Sequence, residues 1–257
     1  EILPTLKDML ARKAKVVILA HQSRPGDWDY IPLVQHAKRT SELLGRPVTY
    51  VDDVCGEKAK KAISDMRPGD VIMLRNVRDE PGEMDKASMD VHARSKMVME
   101  LAPLADVYVS DAFGAAHRPQ PSLIGFQALL PSAAGRLMQR ELEALSQVFD
   151  APSHPCVFVL GGSKFSDAIK VVDRVLGKNV ADKVLLVGLA GNAFLKAGGC
   201  ALGTRSEDIL MKEFTEENLH AAKVLLEMYG ERIELPVDVS LDVDGERKDV
   251  ALSAHPY

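Results

Sequence analysis

The chain has 257 residues, 46% of them hydrophobic, and a formal net charge of -5 at pH 7. That is apolar material for one large core or two modest ones, and too acidic a balance for a nucleic-acid protein, which needs a dense basic face. No run of about 18 uncharged apolar residues offers a membrane span, EILPTLKDMLARK lacks the order of a secretion signal, and Cys55, Cys156 and Cys200 form no CxxC and cannot all pair, so a cytoplasmic protein with buried free thiols is expected.

In chain order, PTLKDMLARK places Leu6, Met9 and Leu10 on one helical face and leads into the apolar strand KVVILA. PLVQHAKRTSELL repeats the helical spacing with Leu33, Val34, Ala37 and Leu44 and stops at Gly45. The strand PVTYV, the helix EKAKKAISDM, the turn RPGD, the strand DVIML, a long helix through VHARSKMVMEL and the strand DVYVS continue the rhythm. Strands alternating with amphipathic helices predict βαβ units, an α/β fold and a parallel sheet covered on both faces. From about Ser132, GRLMQRELEALSQVF reads as one long helix, and the proline-bearing DAPSHP after it reads as a boundary. A second domain follows: PCVFVL runs into GGSKFSD and a helix through AIKVVDRVL, KVLLV runs into GLAGNAFL, ENLHAAKVLLEMYG is amphipathic, and IELPVDVSLDVDGERKDVAL predicts an antiparallel pair around Asp244-Gly245.

In open parallel sheets, ligands bind outside the carboxyl ends of the strands, where loops converge and helix N-termini present unpaired amides. KVVILA exits into His21-Gln22-Ser23-Arg24, PVTYV into Asp52-Asp53, DVIML into Arg75-Asn76-Val77-Arg78, and DVYVS into a loop ending at His117-Arg118. Any one arginine reads most simply as a solvated or ion-paired side chain. Arginines at three of four exits, two with a histidine close by, instead predict a fork-shaped cradle for phosphate or carboxylate. His21 and His117 each keep a second reading as a satisfied structural histidine.

At the second domain's strand exits, Gly161 and Gly162 allow close backbone approach to a ligand and Lys164 supplies charge. The segment is not GxxxxGK[ST], and Gly188 and Gly191 do not fit GxGxxG, so a nicotinamide cofactor is discounted. LDVDGE lacks the remaining calcium ligands and reads as a hairpin turn. An anion cradle on one domain and a Gly-Gly-Lys loop on another suit phosphoryl transfer, which asks the protein for positioning and positive charge.

AHQSRPGD, LLGRPVTYVDDVCG, PGDVIMLRNVR, LADVYVSDAFGAAHRPQPSLIGF, LPSAAGRLMQRELEAL, FVLGGSKFSDAIKVVDRVL and ELPVDVSLDVDGER resemble, in family order, segments of phosphoglycerate kinase, above all its archaeal branch. The resemblance covers essentially the whole sequence. It implies two Rossmann-like three-layer α/β/α lobes joined by a hinge helix: a 3-phosphoglycerate-binding domain over 1–132, an interdomain helix over 133–150 and an incomplete nucleotide-binding domain over 151–257. It also implies reversible phosphoryl transfer between ATP and 3-phosphoglycerate, with Mg2+ carried on the nucleotide; the residues themselves offer no dedicated metal cage. His21, Gln22, Ser23, Arg24, Arg78 and Arg118 match positions that cradle the substrate. Lys164 matches the catalytic lysine and, with Gly161, Gly162 and Gly188, falls among the nucleotide-binding positions; Lys170 is added to them as the cation nearest to where many members carry a lysine at position 168.

Several residues depart from the family pattern. Arg75 stands where glutamate is usual in ENVRF, Asp79 replaces its phenylalanine, Gln22-Ser23 replaces Leu-Gly, Ser163 replaces alanine in GGAK, Val187 replaces a glycine, and Ala168 stands where many members carry lysine. The family's Arg-Val-Asp-x-Asn strand and its GGGD and TGGGA segments have no counterpart here, so a partial copy is expected. The competing expectation is a non-catalytic paralogue that binds a phosphorylated metabolite; a nicotinamide oxidoreductase ranks last.

Overall fold

Helix α1 (Leu3–Ala11) leads into strand β1 (Val16–Ile18), α2 (Val34–Leu44), β2 (Thr49–Val51), α3 (Glu57–Ser64) and β3 (Val71–Leu74). The structure, a computed structural model, describes residues 1–150, 152–211 and 215–252. The chain divides into two compact units, Glu1–Glu143 and Ala144–Tyr257. It is an α/β protein with parallel sheets. Among the described residues no helix is long and apolar enough to cross a membrane.

In the first unit β3 is central, paired in parallel with β1 on one side and β2 on the other. Successive strand residues point to opposite faces. Val71 and Met73 pack with Leu6, Leu33 and Ala37 on one side, while Ile72 and Leu74 pack with Met97, Leu101 and Phe126 on the other. Burial on both faces explains why VIML is unbroken by a polar residue. Helix α2 ends as its sequence predicts, with Gly45 in the left-handed region at φ 67°.

The long helix read through VHARSKMVMEL is two short ones, α4 (Met89–His92) and α5 (Lys96–Leu101). Between them the amides of Arg94 and Ser95 bond three residues back, to Val91 and His92, which tightens the turn and ends α4. Strand β4 (Tyr108–Ser110) pairs in parallel with β5 (Ser132–Ala134). Residues 133–135, read as the start of the interdomain helix, are therefore extended or linking, and the helix α6 (Arg136–Phe149) begins later. The cause is Asp111, whose Oδ1 accepts the amides of Leu137 and Met138 at 3.0 and 3.1 Å and so fixes the first turn. Gly135 passes so close that a Cβ there would stand 2.2 Å from the same oxygen.

In the second unit β6 (Val157–Leu160), β7 (Lys183–Leu186) and β8 (Ile233–Glu234) form a parallel sheet. Helices α7 (Phe165–Gly177), α8 (Gly188–Ala197) and α10 (Glu216–Tyr229) bury Val172, Val175, Leu176, Phe194 and Leu225 against Val184 and Leu186. Helix α9 (Thr204–Met211) lies where no element was read. Strands β9 (Asp238–Val243) and β10 (Glu246–Ala251) form the expected antiparallel pair, turned by Asp244 and Gly245 at φ 54° and 85°, the sign that matches strand twist.

Candidate functional site

The loop after β1 is stitched to the loop after β3. The Val77 amide donates to the Ala20 carbonyl at 3.1 Å, the Asn76 side-chain amide to the Gln22 carbonyl at 2.8 Å, and the Arg78 guanidinium to the Ser23 carbonyl. Asn76 is wholly buried, so a donor aimed at a backbone carbonyl is the arrangement that lets it stay there. Its Oδ1 also takes the Arg78 amide at 3.2 Å and starts the single 3-10 turn Val77–Asp79 that carries Arg78.

Arg78 is 7% exposed, and its Nε has no hydrogen-bond partner among the described residues. Burial, then the charges of Arg118 and Arg24, push the guanidinium below its ordinary value, with Glu83 and Asp27 opposing. His21, partly buried, is likewise held below the usual imidazole value, first by burial and then by Arg78 and Arg118. Arg118 and Arg24 thus act on Arg78, and Arg78 and Arg118 on His21, across three separate strand exits. Among the described residues none of the three arginines forms an ion pair with a carboxylate. Glu83 and Asp27 act on Arg78 only as opposing charges at longer range, and an orphaned buried guanidinium donor among further arginines is the arrangement a phosphate or carboxylate would satisfy.

The side chains of Gln22 and Ser23 turn elsewhere. Gln22 donates to the Asp29 carbonyl at 2.9 Å, and the Ser23 hydroxyl bonds the carboxylates of Asp27 and Asp29. They hold the loop in its curve, with Ser23 itself at φ 53°, and what they turn toward the β3 exit is their carbonyls. Trp28, at the outer bend of the loop, is 96% exposed. His117 is exposed, in the loop before Arg118.

Arg75 does not join the cradle. Its Nε pairs with Asp79 and its Nη1 with Asp52 at 3.1 Å, and Asp79 also accepts the Tyr30 hydroxyl. Behind the cradle the buried Glu83 accepts from the Ser122 amide at 3.1 Å and from its hydroxyl; burial pushes its carboxyl up. Asn76, Tyr30 and Glu83 were not singled out in the sequence. An asparagine two residues before an arginine at a strand exit was the available signal for the first; the other two announce themselves only through tertiary contact.

In the second unit Gly161, Gly162 and Lys164 follow β6 directly, and Lys164 precedes the first turn of α7. Gly162 sits at φ 106°, and a Cβ on Gly161 would stand 3.0 Å from the Val187 side chain. The next strand exit is tied alongside by Val187 N to Leu160 O at 2.8 Å, and Gly188 opens α8 at φ 59°. Two helix N-termini thus start at neighbouring strand ends, with the exposed Lys164 beside the first. Lys170 is not gathered with them: it is exposed on α7, about 9 Å further along the helix axis. Ala168 is buried in α7, so the lysine of many relatives would meet the core here. Among the described residues no three His, Cys, Asp or Glu side chains gather as a metal site.

Residues 1–254 match the family model described as phosphoglycerate kinase. Among curated proteins, phosphoglycerate kinase of Methanothermus fervidus is 43% identical over 252 residues, 98% of this chain and 62% of that protein. That of Methanobacterium bryantii is 44% identical over 243 residues, 95% of this chain and 59% of that protein. The crystal structure of phosphoglycerate kinase from Pyrococcus horikoshii OT3 superposes with a TM-score of 0.91 at 36% identity, covering 99% of this chain and 63% of that one. The chain spans about three fifths of the length of these relatives.

Proposed function

The chain belongs to the phosphoglycerate kinase family, and on that premise we propose that the protein carrying it catalyses reversible phosphoryl transfer between ATP and 3-phosphoglycerate in the cytoplasm. The first unit is the domain that takes 3-phosphoglycerate, with His21, Arg24, Arg78 and Arg118 around its phosphate and the backbone of Gln22 and Ser23 shaping the loop. The second unit is the domain that takes the nucleotide, with Gly161, Gly162 and Gly188 letting the backbone approach it and Lys164 beside the transferring group, while Lys170 stands apart from them. The observation that carries the reading is the buried, orphaned Nε of Arg78 amid Arg24 and Arg118.

In the reaction a carboxylate oxygen of 3-phosphoglycerate bonds to the γ-phosphorus of ATP, the bond to the β–γ bridging oxygen breaks, and ADP departs. The acceptor is already an anion, so no general base is required. The protein's work is to hold the acceptor by its remote phosphate and to offer positive charge to the moving group. The donors in the second unit, helix amides and a lysine, fit phosphate oxygens rather than a cation. A divalent ion, Mg2+, would therefore be held through the nucleotide, where it neutralises phosphate charge.

Calorimetric titration of 3-phosphoglycerate into the parent, Arg24→Ala and Arg118→Ala forms of the full chain tests the cradle. Loss of a charge-assisted pair is expected to weaken binding by about 1.5–3 kcal/mol in each variant. Unchanged affinity in both would end the proposal. Saturable binding with no turnover in the intact protein would favour the metabolite-binding paralogue.

A further inference from the structure

The two positions at which RNVRD departs from ENVRF are bonded to each other. Arg75 Nε pairs with Asp79, whose other oxygen accepts the Tyr30 hydroxyl. Tyr30 ends the loop whose other end is stitched to the β3 exit through the carbonyls of Ala20, Gln22 and Ser23. Arg24 stands between these two attachments, its amide bonded within the loop to Asp27 at 3.2 Å. We infer that Asp79, oriented by Arg75, is a positioning residue for Arg24: it fastens the far end of the cradle loop through Tyr30.

The two departures make physical sense only together. A glutamate at position 75 would set a third carboxylate beside Asp52 and Asp79, and a phenylalanine at 79 would deprive both Tyr30 and Arg75 of an acceptor. Asp79 also keeps Arg75 out of the anion site: a guanidinium between two carboxylates is already neutralised. Arg75 thus contributes order to the loop and leaves the anion to its neighbours.

The inference rests on the proposed cradle, and the experiment separates the two. Amide hydrogen exchange over residues 24–30, together with calorimetric dissociation constants for 3-phosphoglycerate, is measured on the full chain and on Asp79→Ala, Tyr30→Phe, their combination and Asp79→Asn, with Arg24→Ala as control. Expected is exchange about tenfold faster in the loop and a dissociation constant raised about three- to tenfold in either single variant, the combination no worse than the worse single. Asp79→Asn, which keeps an acceptor for Tyr30, recovers part of both. Tyr30→Phe removes one oxygen, so it stands as the test even if Asp79→Ala fails to fold. Unchanged exchange, or faster exchange with unchanged affinity while Arg24→Ala binds weakly, overturns the positioning role and leaves the cradle standing. Undiminished binding by Arg24→Ala defeats the cradle, and the positioning role with it.

Discussion

The buried side-chain amide of Asn76 donates to the backbone carbonyl of Gln22 at 2.8 Å, so one side chain spans two strand exits that lie far apart in sequence. Asn76→Ala leaves that carbonyl and the Arg78 amide without partners, and is expected to lower unfolding free energy by about 1–3 kcal/mol. Asn76→Asp offers no donor to the carbonyl and should cost at least as much. Urea unfolding checks both, and a variant within experimental error of the parent would remove Asn76 from this role.

Asp111 accepts from the Thr5 hydroxyl at 2.6 Å as well as from two amides of α6. Asp111→Ala is expected to destabilise the first unit by about 2 kcal/mol through loss of the helix cap, and Asp111→Asn by less. Gly135→Ala should be the most damaging of the three, because its new methyl would meet the Asp111 carboxylate. Thermal melts of the three variants give the order directly.

His21 is held below the ordinary imidazole value by burial, Arg78 and Arg118. As pH falls below about 6.5 the unfolded chain takes up a proton there before the folded one, so this residue's contribution to stability is complete above that pH and declines below it. An anion in the cradle offsets the two arginines and raises the value again, which couples binding to proton uptake. Sulfate, which does not titrate in this range, is therefore expected to bind more tightly at pH 6 than at pH 8. Titrations at the two pH values should show that gain disappear in His21→Gln; a gain that persists assigns the proton elsewhere.

Lys164→Ala is expected to lower kcat of the intact protein by about 10²–10³-fold while leaving the dissociation constant for 3-phosphoglycerate near that of the parent, since its charge is proposed to act on the transferring group. Steady-state kinetics beside calorimetry distinguishes this from a structural role, which would move both.

The βαβ rhythm was legible because strands such as VIML and helices such as VQHAKRTSELL carry opposite hydrophobic periods. Ser132–Ala134 was not, because Ser-Ala-Ala has no strand chemistry and owes its conformation to pairing with Tyr108–Ser110. The break between α4 and α5 was hidden for a similar reason: His92 is buried with Nε2 2.8 Å from the Pro119 carbonyl, a contact no local pattern records. At the site, the strand-exit rule pointed to the neighbourhood of His21, Arg24, Arg78 and Arg118. It could not tell Arg78, buried with an open donor, from Arg75, already matched by Asp79 and Asp52, since both follow the same strand. That distinction belongs to the third dimension.

Trp28 is the single tryptophan of the chain, and it stands bare to water on the loop that carries Arg24. Its emission therefore reports from one place. The molecule carries its own optical beacon on the loop of the proposed cradle, so that motion of that loop can be followed in stopped flow without any attached dye.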